Sequence, residues 1–281
     1  MLTKILHALT YGGGLCFGPA LDTVSAQGTA IGATIAALAA VSGDSLAIKN
    51  SPIEKVSKIL TFWSDVQVAG TGRIRSARLH DNVQGLRFDT IIGDLRPYMP
   101  WGVSQRVYAN DVLSVELAGS AVGGDIETIS LLVYYEDLPG ISGRFIGPDA
   151  LASRGMNITM VENTIATGTA GGYSGGEAIN VEQDQFHATG QYALVGYLCD
   201  TETATIAWRG PDTGNLRVGG PGEETERELT ADWFVRLSRA YNLPLIPVIS
   251  AENKAATLID AVQDENGADP TITSIFVELS K

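Results

Sequence analysis

Thr128-Ile129-Ser130-Leu131-Leu132-Val133 and Ile272-Thr273-Ser274-Ile275-Phe276-Val277 decide how this chain reads. Each is a short β-branched and aliphatic run with Ser or Thr set into it, the pattern of a strand. Each closes one of two successive halves. Further back, Thr71-Gly72-Arg73-Ile74-Arg75-Ser76-Ala77-Arg78-Leu79 can be laid over Thr189-Gly190-Gln191-Tyr192-Ala193-Leu194-Val195-Gly196-Tyr197. Both are a Thr-Gly turn entering a strand, followed by Asp81 or Asp200 and a second strand holding Phe88 or Trp208. Gly72 to Ile129 spans 57 residues (129−72) and Gly190 to Thr273 spans 83 (273−190). The difference, 26 (83−57), falls to an acidic Gly-Pro-rich loop at 209–228 and the helix after it, as insertions belong on loops. A repeat of this kind governs the fold expectation.

Strands are also expected at 83–88, 112–117, 129–135, 156–161, 191–198, 205–208, 216–218, 245–249 and 271–279. Residues 231–241 read as a helix capped by Thr230 and ended by Asn242-Leu243-Pro244. The uncharged stretch 23–43 centres on Ala-rich 30–41, which reads as a buried helix or an arm on a neighbouring subunit, with membrane-surface contact as the alternative. Ser51 and Pro52 look like the start of a short helix at 52–60. The expected class is all-β with minor helices: two tandem β-sandwiches of jelly-roll type behind an N-terminal arm. The divisions are 1–60 for the arm and short helices, and 61–140 for the first jelly roll. A connection with the first strands of the second sandwich occupies 141–188, and 189–281 holds the remainder.

The composition fits. With 281 residues, 44% of them hydrophobic and 18% charged, the chain can bury two cores. Thirty-two Gly and 11 Pro favour many short elements joined by turns. A net charge of −13 repels phosphate backbones and speaks against direct nucleic-acid binding. Cys16 and Cys199 read as buried thiols, and His7, His80 and His187 are scattered, so neither a metal nor another cofactor is expected. Lys4, the apolar residues 5–9 and Val24-Ser25-Ala26 imitate a signal peptide. Gly12-Gly13-Gly14 and Asp22 interrupt it, and the segment reads as part of the mature protein.

Two β-sandwiches, an N-terminal arm, a Gly-Ser connection and a loop-borne insertion resemble the double jelly-roll major capsid proteins of icosahedral, often membrane-containing viruses. The resemblance covers about residues 60–281 and is architectural. It implies trimers of pseudo-sixfold outline, strands upright in a shell, an arm on the inner face, and assembly in place of catalysis. A virion location, with assembly in the host cytoplasm, follows from it. So do partnerships with copies of the chain and other virion proteins, and membrane contact through the N-terminal arm.

Gly172-Tyr173-Ser174-Gly175-Gly176 imitates a serine-protease nucleophile loop, with His80 and Asp125 ahead of it. Tyr173 stands where an Asp belongs and a partly acidic segment follows, so the loop reads as a flexible Gly-rich connection and no catalytic residue is assigned. Residues 264–269 resemble a calcium loop but lack its ligand register, and read as a hairpin turn. Glu223-Glu224-Thr225-Glu226 reads as a solvated face, and Gly210-Pro211-Asp212-Thr213-Gly214 as a turn. Trp208 and Trp233 read as core, whereas Trp101, between Pro100 and Gly102, is the candidate interface contact. The function expected is a self-assembling shell protein, and the alternative is a carbohydrate-binding or adhesin-like β-sandwich.

Overall fold

The computed structural model describes residues 16–17, 19–29, 32, 34–41, 46–79, 83–92, 97–119, 126–166, 172–179, 185–200, 203–222, 227–262 and 269–280. The protein is predominantly β, and among the described residues the strands form four antiparallel sheets. After the two-residue β1 (Cys16–Phe17), the first half contains β2 (Ala20–Thr29), β3 (Ala36–Ala37), β4 (Ala39–Ala40), β5 (Ser57–Asp65) and β6 (Thr71–Arg75). It continues with β7 (Leu86–Asp89), β8 (Gln105–Val107), β9 (Ser114–Ala118) and β10 (Ile126–Tyr135). One sheet runs β4-β2-β10-β5-β8 and faces another running β3-β9-β6-β7.

The link carries β11 (Arg144–Ile146) and helix α1 (Pro148–Arg154). The second half comprises β12 (Gly155–Thr164), β13 (Glu177–Ala178), β14 (Gln191–Cys199), β15 (Thr203–Arg209) and β16 (Val218–Gly222). After helices α2 (Arg227–Thr230) and α3 (Trp233–Tyr241) come β17 (Ile246–Ser250), β18 (Leu258–Val262) and β19 (Thr271–Leu279). Its sheets run β1-β11-β17-β14-β19-β12 and β13-β18-β15-β16. If β2, β3 and β5–β10 are counted one to eight, and β12–β19 likewise, both halves have the order 1-8-3-6 facing 2-7-4-5.

Each half buries its own core. In the first, Val24, Ala26, Ile129, Leu131 and Val133 meet Ile74, Val115 and Leu117 across the sandwich. In the second, Leu194, Ile272, Phe276 and Val248 meet Ile206, Trp208, Val218 and Ile259. Every residue of β10 is buried. Its odd positions point into the first core, while Leu132 and Tyr134 join the cluster of the second half. A strand buried on both faces loses the polar/apolar alternation of a half-exposed one.

Several expectations are corrected. Residues 36–37 and 39–40 are short strands, not an Ala-rich helix, and β2 lies in a region expected to be an arm. The supposed helix at 52–60 is a turn followed by β5; Lys55 N–H donates to Pro52 O, which closes one turn, and the β-branched and aromatic run after it pairs with β10. The loop at 209–228 contains a 3-10 turn at Pro211–Thr213 and the strand β16. Helix α3 begins at Trp233 with Asp232 in the N-cap position and without a side-chain cap bond; Thr230 instead ends α2. Asn242 stops α3 in the left-handed region at φ 51°, a conformation Asn tolerates better than most residues.

The strand order recurs in the two halves, but not in the register read from the sequence. The two Thr-Gly segments are not equivalent, since β6 is the fourth strand of its half and β14 the third. The counterpart of β14 is β5, and each carries one extra residue, Leu60 or Val195, at a bulge against the last strand. Matching the bulges sets Leu132 against Ile275 and Val133 against Phe276. Residues 128–133 therefore correspond to 271–276, one position from the register read in sequence, and a one-residue slip exchanges inner for outer faces.

Candidate functional site

The like strand orders give each half two outer faces, and the chain treats equivalent faces differently. The outer face of the first half's β2-β10-β5 sheet is covered by that of the second half's β15-β16-β18. Trp63 Nε1 donates to Ala204 O at 2.8 Å, the Ser130 and Thr205 hydroxyls lie 2.6 Å apart, and those of Ser25 and Ser130 2.8 Å apart. Gly219 N–H donates to Thr23 Oγ1 at 3.0 Å and Thr23 N–H to Arg217 O at 2.7 Å. Small Ser, Thr, Ala and Gly side chains let the two sheets approach closely, and each buried hydroxyl named here has a partner. Helix α3 closes one flank: Trp233 meets Trp63 edge-on at 5.9 Å, and Tyr241 OH donates to Leu60 O and to Val103 O at 3.0 Å.

An ion cluster lies on this buried face. Asp260, fully buried on β18, accepts from Arg209 Nε at 2.6 Å and Arg217 Nε at 2.8 Å. The Arg217 guanidinium sits 3.8 Å from the Tyr173 ring centroid. Close by, Asp22 pairs with Lys49 at 2.8 Å; burial raises its pKa in spite of Lys49 and Arg217.

A matching cluster lies on the equivalent face of the first half. Glu116 on β9 is clamped by Arg73 and by Arg75, whose Nη2 is 2.6 Å away. In both halves the acid is on the seventh strand, and an arginine on the fourth strand lies two positions from the residue paired with it: Glu116 pairs with Arg73 and Asp260 with Ala207, with Arg75 and Arg209 two further on. Burial pushes the Glu116 carboxyl up, but hydrogen bonds from Arg75, Arg73 and Ser114 outweigh it and hold the pKa below the ordinary value. Here, unlike in the second half, no second sheet covers the face among the described residues. A cavity of about 230 Å³ is lined by Ile35, Thr71, Arg73, Gln84, Arg87 and Ala118.

The remaining outer face, β17-β14-β19-β12, is half covered by α3, which packs on β14 and β17. Its other half presents Met156 (53% exposed), Ile158 (69%) and Met160 (53%) on β12. By the bulge register, Ile158 and Met160 correspond to Leu21 and Thr23, which are buried at the contact within the chain. Glu162, also exposed, corresponds to Ser25.

The chain matches no family model and no curated protein sequence.

The candidates read from the sequence fall elsewhere, and their places are informative. Ser174 is buried, its N–H donates to Ala261 O, and its Oγ accepts from Ala261 N–H at 2.8 Å, so it ties the loop to β18. His80, Asp125, residues 223–226 and 264–268 lie outside the described residues. Gly214 is left-handed at φ 67°, as the expected turn requires. Trp208 and Trp233 are fully buried. Trp101 is 37% exposed and packs edge-on against Trp233 at 5.6 Å, so part of its ring already serves the contact between halves. Cys199 is a buried thiol with Sγ 3.7 Å from Thr203 Oγ1. Among the described residues, no helix is long and apolar enough to cross a membrane. The β12 stripe escapes a reading of the sequence, although Met156, Ile158 and Met160 alternate with Asn157 and Thr159; alternation identifies a strand without saying which face is covered.

Proposed function

We propose that this is a structural shell protein whose two halves are jelly rolls, and that it self-assembles as trimeric, pseudo-hexameric capsomers into the outer capsid of an icosahedral virus. The order 1-8-3-6 facing 2-7-4-5, repeated in both halves, supports the jelly-roll reading. The assembly rests on the unequal use of equivalent faces. Within the chain, one sandwich lays its 1-8-3-6 face on the 2-7-4-5 face of the next. The second sandwich still has an apolar stripe on its own 1-8-3-6 face, and the first still has an open 2-7-4-5 face with its arginines. A second copy continues the stack by placing β12 against β9-β6-β7, with Glu162 facing Arg87 or Arg73. Such a contact is heterologous, and it closes into a ring when the rotation per step allows. Three chains give six sandwiches. The protein then works by assembly, with other copies and further virion proteins as partners.

Solution size tests this reading. Wild-type protein is expected to sediment as a trimer or larger particle. Ile158→Asp combined with Met160→Asp should give a folded monomer. Arg87→Glu should weaken the trimer and Glu162→Arg added to it should restore it. A wild-type chain that remains monomeric at high concentration, or substitutions without effect on size, would overturn the proposal.

A further inference from the structure

We infer that the end of the first sandwich formed by residues 46–56, 78 and 106–113 is a docking surface for an anionic phospholipid bilayer. A pocket of about 570 Å³ opens there, lined by Asn50, Ile53, Lys55, Arg78, Arg106 and Tyr108 among others, with no carboxylate in its lining. In a chain of net charge −13 this is a local excess of positive charge. Among the described residues neither Arg78 nor Arg106 has a carboxylate partner; the Arg106 guanidinium lies 5.3 Å from the Tyr108 ring centroid. Lys55 is shared with Glu136 at 3.4 Å, and Glu54 lies in the same turn but outside the pocket. The nearby Asp111 is buried and accepts from Ser76 Oγ.

Apolar side chains stand beside these cations. Ile53 occupies the turn after Pro52 and is 93% exposed, and Val112 is 66% exposed. An isoleucine left in water at a turn forgoes a burial worth about 1.5–3 kcal/mol, and a bilayer interface supplies that burial. The pairing of exposed aliphatic residues with Arg and Lys is the chemistry by which proteins lie on anionic membranes, the cations meeting phosphates and the aliphatics entering the acyl boundary. A phosphate alone would engage the cations and leave Ile53 and Val112 unexplained.

The surface is preformed. Ile48 N–H donates to Asp111 O at 2.7 Å, Asn110 N–H to Ile48 O at 2.9 Å, and Leu113 N–H to Leu46 O at 3.0 Å, and Asn110 Nδ2 reaches Asn50 Oδ1 at 3.2 Å. These bonds join the two loops into one platform. Lys58 on β5 pairs in register with Arg106 on β8, so the strands beside the pocket add charge of the same sign.

Co-sedimentation of the full chain with vesicles tests the inference. Binding is expected to phosphatidylcholine vesicles containing phosphatidylglycerol and not to phosphatidylcholine alone. Arg78→Glu with Arg106→Glu should lower the partition coefficient roughly tenfold or more, and Ile53→Ser should lower it severalfold. All of these positions are on the surface, so far-ultraviolet circular dichroism and sedimentation size should match wild type. Equal binding to neutral vesicles, or undiminished binding by the variants, would overturn the assignment. So would calorimetric binding of inorganic phosphate at this pocket without vesicle binding. Because solution size is read in parallel, a failure of assembly is distinguishable from a failure of membrane docking.

Discussion

Trp63 shows how much one side chain can do at the contact between halves. Its indole spans from β5 to the carbonyl of Ala204 and packs on Trp233. Trp63→Phe retains most of the apolar volume but removes one of the two donors to that carbonyl, the other being Thr205 Oγ1 at 2.7 Å, at a cost of about 0.5–1.5 kcal/mol, measurable as a lower denaturation midpoint with an unchanged slope. Glu116 makes a second residue-scale prediction. Because its folded pKa is depressed, its contribution is complete above the ordinary carboxylate value and is lost as pH falls through the depressed value. Glu116→Gln should therefore flatten the acid limb of stability against pH; an unchanged limb would show that the arginine clamp contributes nothing. Single residues are partly legible in sequence. Trp208 and Trp233 read as core from their patterned surroundings, whereas Ser174 looks chemical only because a Gly-rich loop and a nucleophile loop share composition. Its backbone ties to Ala261 become visible only when distant strands meet.

Strands with one clear apolar pattern can be read directly, and the strand expected at 271–279 coincides with β19, Thr271–Leu279. Two of the strands that escape such a reading, β2 and β5, are buried on both faces. In β2 the residues Thr23, Ser25 and Gln27 turn towards the second half and look like solvent-facing positions in sequence. In β5 a Ser-Pro pair ahead of the strand carries the signal of a helix start. The Gly219-Gly220-Pro221-Gly222 strand looks like a loop for want of side chains, yet their absence is what allows the approach. A methyl at Gly219 would lie 2.0 Å from Ile206 O, and one at Gly220 would lie 2.4 Å from Tyr197 OH. Gly219→Ala is accordingly expected to destabilise the protein by about 1–3 kcal/mol or more, since backbone has to move. Thermal unfolding measures it, and a neutral effect would mean that β15 and β16 are not held this closely.

On the scale of the molecule, the sequence points to two like halves and, through the resemblance it carries, to self-association, but it cannot tell which faces are spent inside the chain. That depends on the stacking of one sandwich on the other, a property of tertiary structure. The stacking is directional, so it ends in two unlike faces at opposite sides of the chain, one apolar with Glu162 and one rich in arginine. In the proposed assembly a further copy satisfies both. Imaging of purified protein by electron cryomicroscopy tests this most directly. Six-lobed rings built from three chains are expected, with β12 of each copy seated on the Glu116 face of the next; isolated two-lobed particles at high concentration, or copies joined through other faces, would contradict the stacking.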